Sequence, residues 1–247
     1  MKISIITVSY NSGRTIEDTL ESVKNQTYKE IEHIIIDGKS KDNTLKIVSK
    51  FNHNLVIVSE PDKGIYDAMN KGIKIASGDV IGILNSDDLY FDNTILQKIV
   101  DEFILDNKLD VLYGNLLYVK ENDISKIVRK WISCDYYNRY FESGNVPPHP
   151  TLFLRKNVYN EVGLFDLQFT LASDYELMLR IFKKNSFKTK YLNEFIVKMR
   201  LGGATNKNIK NIYLGNVEIL NSWIINDLSI PILLLPKKII KRLFQFL

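Results

Sequence analysis

An α/β fold with a mostly parallel sheet flanked by helices is predicted by three features of this 247-residue chain. Short apolar runs alternate with segments of helical period through the first third of the sequence. The runs are continuous rather than alternating, which marks strands covered on both faces. Each run ends in a polar cluster, at Thr7–Asn11, Asp37–Ser40, Glu60–Lys63 and Asn85–Asp88. In a parallel sheet those clusters share one edge, the edge at which such proteins bind ligands.

Taken in order, Lys2–Val8 reads as a first buried strand, and Tyr10-Asn11-Ser12-Gly13 as a turn. Ile16, Leu20 and Val23 recur at helical spacing between Arg14 and Gln26. Ile31–Ile36 is a second strand; a helix to about Phe51 follows, capped by Ser40 or Asp42. Leu55–Val58 is a third strand, Ile65–Ala76 a helix stopped by Gly78, and Val80–Leu84 a fourth strand. Thr94–Asn107 is helical, and Val111–Val119 and Ile127–Trp131 are strands around a polar turn. Ile132–Pro150 has no period and holds Tyr136, Tyr137, Tyr140 and Phe141. It reads either as an irregular wall of a site or as a connection packed by its own aromatics. Thr151–Arg155 is a strand, Lys156–Val162 a helix, and Asp174 starts another helix through Lys184. Phe187–Leu192 and Phe195–Leu201 read as two strands, Gly202–Asn206 as a mobile small-residue loop, and Asn208–Ile225 as a helix.

Composition narrows the function. The chain is 45% hydrophobic and 25% charged, an ordinary globular balance. The single Cys134 excludes an intrachain disulfide and a thiolate metal site, which fits a reducing, cytoplasmic setting. His33, His53 and His149 lie far apart, which argues against a histidine zinc site. The N-terminal apolar run is too short for a signal-peptide core, and no stretch is long enough to span a bilayer. The net charge is +4, and all of it is carried by Lys237, Lys238, Lys241 and Arg242 in the tail. A neutral body is not a nucleic-acid surface.

The stretch Asn85-Ser86-Asp87-Asp88 sets two carboxylates side by side at a strand end. They repel unless solvent or a cation screens them. It reads either as a hard-metal site bridging to a phosphorylated ligand or as a capped turn. Neither G-x-G-x-x-G nor G-x-x-x-x-G-K-[ST] occurs, so phosphate neutralisation has to come from elsewhere.

Three blocks then carry a resemblance: Ile34–Thr44 around Asp37-Gly38, Glu60–Gly72 around Asp62-Lys63-Gly64, and Leu84–Asp88. Together they resemble the family 2 inverting glycosyltransferases of the GT-A (Rossmann-like) fold, in particular the bacterial enzymes of O-antigen, capsule and exopolysaccharide biosynthesis. The resemblance covers residues 1 to about 205: a nucleotide-binding half (1–90), an acceptor half (91–205), then a C-terminal helix and basic amphipathic tail (206–247). It implies a nucleoside diphosphate sugar donor, a saccharide acceptor, lipid-linked in that setting, and a divalent metal, Mn2+ or Mg2+, held at a DXD motif. Here that motif reads Asn85-Ser86-Asp87, so the metal role passes to Asp87. Asp88 stands just outside as a further ligand or a turn cap. The resemblance assigns Thr7, Tyr10, Asn11, Asp37, Lys63, Asp67, Asn85 and Ser86 to the sugar nucleotide. It makes Asp174 the catalytic base, with Glu176 as fallback. His149, Glu176 and Gly203 are assigned to the acceptor or the donor phosphate.

Ser229–Pro236 is apolar, and Lys237–Leu247 alternates basic and apolar groups at roughly helical spacing. It reads either as an interfacial helix on the cytoplasmic face of an anionic membrane or as a helix docked on the body. Two other functions compete: a degenerate sugar-nucleotide-binding scaffold, suggested by Asn85, and a sugar-phosphate nucleotidyltransferase, disfavoured by the glycine-poor first turn.

Overall fold

The computed structural model describes residues 1–51, 54–202 and 209–246. His53 and Gly203 therefore lie outside the described residues. Four parallel-paired strands build the first half: β1 (Ile3–Ser9), β2 (Ile31–Asp37), β3 (Leu55–Ser59) and β4 (Val80–Ile83). Between them run α1 (Ile16–Lys24), α2 (Thr44–Val48) and α3 (Ile65–Ile75). The second half adds β5 (Leu89–Tyr90), α4 (Ile95–Leu105), β6 (Val111–Lys120), β7 (Asp123–Trp131), β8 (Phe153–Arg155) and α5 (Lys156–Val162). Then come α6 (Ser173–Leu179), β9 (Thr189–Arg200), α7 (Ile209–Ile225) and α8 (Leu234–Leu243). The strands form one sheet in the order β3-β2-β1-β4-β8-β6-β9-β5, with β7 paired to β6. The parallel block is extended by antiparallel β8, while β6 and β9 pair in parallel further out.

The continuous apolar runs behave as expected in the middle of the sheet. Every residue of β1 and β4 is buried. β3 departs from the pattern: Val56 and Ile57 are 41% and 45% exposed because β3 is the edge strand. At the opposite end of these strands Glu32 accepts hydrogen bonds from Lys2 Nζ, the hydroxyls of Ser4 and Ser77, and the Ser77 amide. Burial alone would raise its pKa; the four donors outweigh burial and bring it to about 2.

Three local expectations change. Phe187–Leu201 contains one strand, β9, rather than two. The polar Asn193 that breaks the apolar pattern faces Asn115 of β6, whose amide donates to it at 3.2 Å, where the β6–β9 register shifts. The strand expected from Thr151 begins at Phe153, because His149–Thr151 forms a 3-10 turn. The expected cap at Ser40 or Asp42 lies outside α2. Asp42 instead accepts from the Thr44 amide and hydroxyl and from the Gly13 amide, so it joins the first and second strand-end turns.

Both readings of Ile132–Pro150 hold at once. Tyr140 and Phe141 are buried, and the Tyr136 ring packs 5.2 Å from Phe182. Tyr140 and residues on either side of it, among them Ser133, Asn145 and His149, wall the main cleft. The C-terminal helices join the same core: Ile219, Trp223 and Leu234 belong to the apolar cluster that contains Ile6 and Ile34. Trp223 Nε1 also donates to the Tyr175 hydroxyl at 3.0 Å, tying α7 to α6. No helix among the described residues is long and apolar enough to cross a membrane.

Candidate active site

Three of the four predicted strand-end clusters open onto a cleft of about 1200 Å³; none of Asp37–Ser40 lines it. Tyr10, Asn11, Asp62, Asn85, Ser86 and Asp87 line its sheet edge. Hydrogen bonds between neighbouring turns hold that edge. Asn11 sits at φ 51°, its amide donates to the Ser40 hydroxyl, and its side-chain oxygen accepts the Lys41 amide. The hydroxyls of Ser12 and Ser86 meet at 2.7 Å, joining the β1 and β4 ends. Tyr10 is 60% exposed, a broad aromatic face at the mouth of the cleft.

Asp174 lines the same cleft from the second residue of α6. The Tyr66 hydroxyl donates to its Oδ1 at 3.0 Å. Burial first, and the Asp174 carboxylate second, hold the Tyr66 hydroxyl well above its ordinary pKa, so it remains a donor. The loop that delivers Asp174 is fixed from behind. Buried Glu218 of α7 accepts from the Thr170 amide and hydroxyl and from the amides of Leu171 and Ala172, at 2.8–3.0 Å. His149 lines the cleft nearby, with its ring 5.5 Å from that of Phe165. Burial lowers its pKa and favours a neutral imidazole, while the charge on Asp174 opposes that fall.

The two neighbouring carboxylates separate cleanly. Asp87 faces the cleft, and burial raises its pKa moderately. Arg200 donates to the Asp87 backbone carbonyl at 2.8 Å. Asp88 is fully buried and does not line the cleft. One of its oxygens accepts the Asn85 amide at 3.1 Å, while its Oδ1 has no partner among the described residues. Burial and the Asp87 charge push its carboxyl well up.

These donors fit a hard divalent cation. Asn85 Oδ1 is also a buried oxygen without a partner among the described residues, and it stands beside the Asp87 carboxylate in the same loop. No cluster of three His, Cys, Asp or Glu suited to a metal occurs among the described residues. That sparse, all-oxygen donor set suits Mg2+ or Mn2+, which bind through one or two carboxylates and complete their shell with water and substrate phosphate.

Several predicted site residues point elsewhere. Thr7 is fully buried, its hydroxyl 3.0 Å from His33 Nε2. Asp37 is fully buried, accepting from the hydroxyls of Ser9, Ser40 and Ser59 and from the Ser40 amide. It clamps the ends of β1, β2 and β3 with no oxygen turned to the cleft. Glu176 is spent on a two-pronged ion pair with Arg180, at 2.6 and 2.7 Å, and on Asn226. Lys63 is exposed outside the cleft, and Asp67 accepts the Lys63 amide at 3.0 Å.

Sequence reading missed Tyr66, Asp62 and the cationic wall. Lys238, half-buried, and the exposed Lys241 and Arg242 of α8 line the cleft. The signal was available in their i, i+3, i+4 spacing, which places them on one helical face.

Comparison with known proteins gives the family and the fold. The family model for Glycosyl transferase family 2 matches residues 4–163. A glucosyltransferase of Escherichia coli, UDP-Glc:alpha-D-GlcNAc-diphosphoundecaprenol beta-1,3-glucosyltransferase WfgD, is 32% identical over 188 residues, covering 74% of this chain and 71% of that protein. A PGL/p-HBAD biosynthesis glycosyltransferase of Mycobacterium tuberculosis is 26% identical and covers 85% of this chain and 82% of its own. Among solved structures, S. aureus TarS residues 1–349 with UDP-GlcNAc superposes with a TM-score of 0.67 at 23% identity, over 90% of this chain and 67% of that one. The match covers only 40% of a longer solved chain of TarS. A Pyrobaculum calidifontis mannosyltransferase in complex with GDP-Man and Mn2+ gives 0.65 at 16% identity, over 97% of this chain and 73% of that one. At these identities the structural matches establish the shared GT-A architecture.

Proposed function

Because the chain belongs to Glycosyl transferase family 2 and is a glycosyltransferase, we propose that it moves a sugar from a nucleoside diphosphate sugar to a lipid-linked saccharide acceptor, inverting the anomeric carbon, in cell-surface polysaccharide synthesis. The observation that carries this reading is the meeting of two distant segments in one cleft: the strand-end turn Asn85–Asp87 and Asp174 at the start of α6. The first suits a donor diphosphate and the second an acceptor hydroxyl. WfgD, named for a UDP-glucose donor and a diphosphoundecaprenol-linked acceptor, supports the choice of substrates.

In the proposed reaction, Tyr10 and Asn11 hold the nucleotide at the mouth of the cleft, and Asn85 and Ser86 orient the sugar-diphosphate. Asp87, with the orphaned Asn85 oxygen beside it, would hold a manganese or magnesium ion. The ion, when bound, neutralises charge on the departing diphosphate. Asp174 accepts the acceptor hydroxyl's proton as that oxygen attacks the anomeric carbon from the face opposite the leaving group. Tyr66 fixes the rotamer of Asp174 and leaves its second oxygen for that proton. The neutral His149 ring can donate one hydrogen bond to a phosphate or acceptor oxygen.

The experiment is direct. Purified protein with manganese and a panel of UDP- and GDP-sugars is expected to release nucleoside diphosphate slowly from one of them, and faster with an added acceptor. No release from any donor, with or without acceptor, favours a binding scaffold instead.

Membrane proximity belongs to the same proposal, by a different physical route from that expected. With Lys238, Lys241 and Arg242 on the cleft side of α8, the rest of the tail is largely apolar: Ile232, Ile239, Ile240 and Leu243 are 97%, 58%, 52% and 62% exposed. Apolar insertion, rather than charge, would then seat the protein on the cytoplasmic face of a bilayer. In liposome flotation, Ile239→Ser/Ile240→Ser/Leu243→Ser is expected to leave most of the protein unbound. Equal flotation of wild type and variant removes the tail from the membrane contact.

A further inference from the structure

The cations that line the cleft from α8 have a companion on β7. Arg129 of β7 lines the same cleft, is only 5% exposed, and lays its guanidinium 3.6 Å from the centre of the Tyr118 ring. Its Nε has no hydrogen-bond partner among the described residues. Lys238 is half-buried, with its ammonium 4.5 Å from the centre of the Tyr175 ring. Among the described residues Lys238, Lys241 and Arg129 form no ion pair with a carboxylate.

These groups also repel one another. Burial depresses the pKa of Arg129; Tyr118 opposes that fall and the charge on Arg242 adds to it. Burial lowers the Lys238 ammonium to about 8; Asp174 opposes that fall and Arg242 adds to it. A partly buried group of like charges costs free energy that a multiply charged anion would recover, and guanidinium forks match phosphate oxygens.

We propose that α8 and β7 form a second anion subsite, apart from the Asn85–Asp87 turn, in which Lys238, Lys241, Arg242 and Arg129 hold the phosphoryl or diphosphoryl group of a lipid-linked acceptor. This assignment rests on the glycosyl-transfer reading for its substrate class. Two features favour the acceptor's phosphates over the donor's. Lys238 lies within the field of Asp174, the group proposed to meet the acceptor hydroxyl, whereas the oxygen donors for the sugar nucleotide sit on the sheet edge. The outer side of the same helix is the exposed apolar strip, so a hydrocarbon chain on the bound phosphate has an apolar surface to follow out of the cleft.

The test titrates the full chain with farnesyl diphosphate in the presence of chelator, which removes any metal-bridged binding at the Asn85–Asp87 turn. Lys241→Gln/Arg242→Gln is expected to weaken this ligand by about tenfold or more, since two charge-assisted contacts are lost. Farnesol, which lacks the diphosphate, is expected to bind both proteins alike. Binding of UDP with manganese is expected to stay within about twofold of wild type. Lys241→Arg/Arg242→Lys keeps the charge and is expected to retain farnesyl diphosphate binding, which separates loss of the subsite from loss of the fold. Unchanged farnesyl diphosphate affinity in the Gln variant overturns the subsite. An equal loss of UDP affinity overturns its assignment to the acceptor and gives the cations to the donor. Donor turnover by the wild-type protein checks the transferase reading separately: its absence with farnesyl diphosphate binding intact counts against transfer, not against the subsite.

Discussion

Asp174→Asn is expected to lower the rate of sugar transfer by about 10²–10⁴ while leaving the protein folded and able to bind donor. Asn has the same shape, and its side-chain oxygen can still accept the Tyr66 hydroxyl at the present 3.0 Å, so the local structure has little reason to move. What it cannot do is take a proton near pH 7. The loss should therefore fall on kcat with acceptor, and nucleoside diphosphate affinity by calorimetry should be unchanged. Tyr66→Phe is the matched comparison. It removes one hydrogen bond and frees the Asp174 rotamer without removing the base, so a smaller loss of about tenfold is expected. If Asp174→Asn turns over at a near-normal rate, the base lies elsewhere. Glu176 is a poor substitute, because its carboxylate is already committed to Arg180 and Asn226.

The first half of the sheet was legible because burial on both faces leaves a strong mark: β1, β2 and β4 are short runs dominated by Ile and Val, buried almost throughout and punctuated by polar turns. The edge to which those turns belong was legible for the same reason. Which member of each cluster faces the ligand was not. Thr7 and Tyr10 lie three residues apart at the end of one strand, yet one bonds to His33 in the interior and the other stands at the mouth of the cleft. A carboxylate such as Asp37 can serve a ligand or tie three strand ends together, and only the positions of Ser9, Ser40 and Ser59 decide between them. The tail shows the same limit in a helix. Its spacing identifies a basic face and an apolar face, but either could turn inward. The anchors that decide are non-local: Leu234 sits in the main core, and Lys237 Nζ donates to the Glu142 carbonyl at 3.2 Å. With those contacts made, the basic face becomes a cleft wall. Arg129, in a half-exposed strand with no clear alternation, carried no sequence signal beyond its charge.

Asp87→Asn is expected to remove the manganese-dependent part of nucleoside diphosphate binding and with it nearly all turnover. The expectation rests on what surrounds this carboxylate. Arg200 lies close, but its guanidinium donates to the Asp87 backbone carbonyl and to the side chain of Asp18, so it braces the turn. Asp87 therefore presents its carboxylate to the cleft beside Asn85, whose Oδ1 lacks a partner among the described residues. The Asn substitution keeps the shape and removes the charge that a hard cation requires. Calorimetry with UDP, run with manganese and then with chelator, should show tighter binding with metal for the wild type, by about tenfold or more, and one common affinity for the variant. Asp88→Asn tests the neighbour. That carboxyl is fully buried, and its environment favours the neutral form, so an amide replaces it at little cost and the manganese effect should persist. Persistence of the effect in Asp87→Asn together with its loss in Asp88→Asn would move the metal role to the buried carboxylate. The turn would then have to open before a sugar nucleotide could bind.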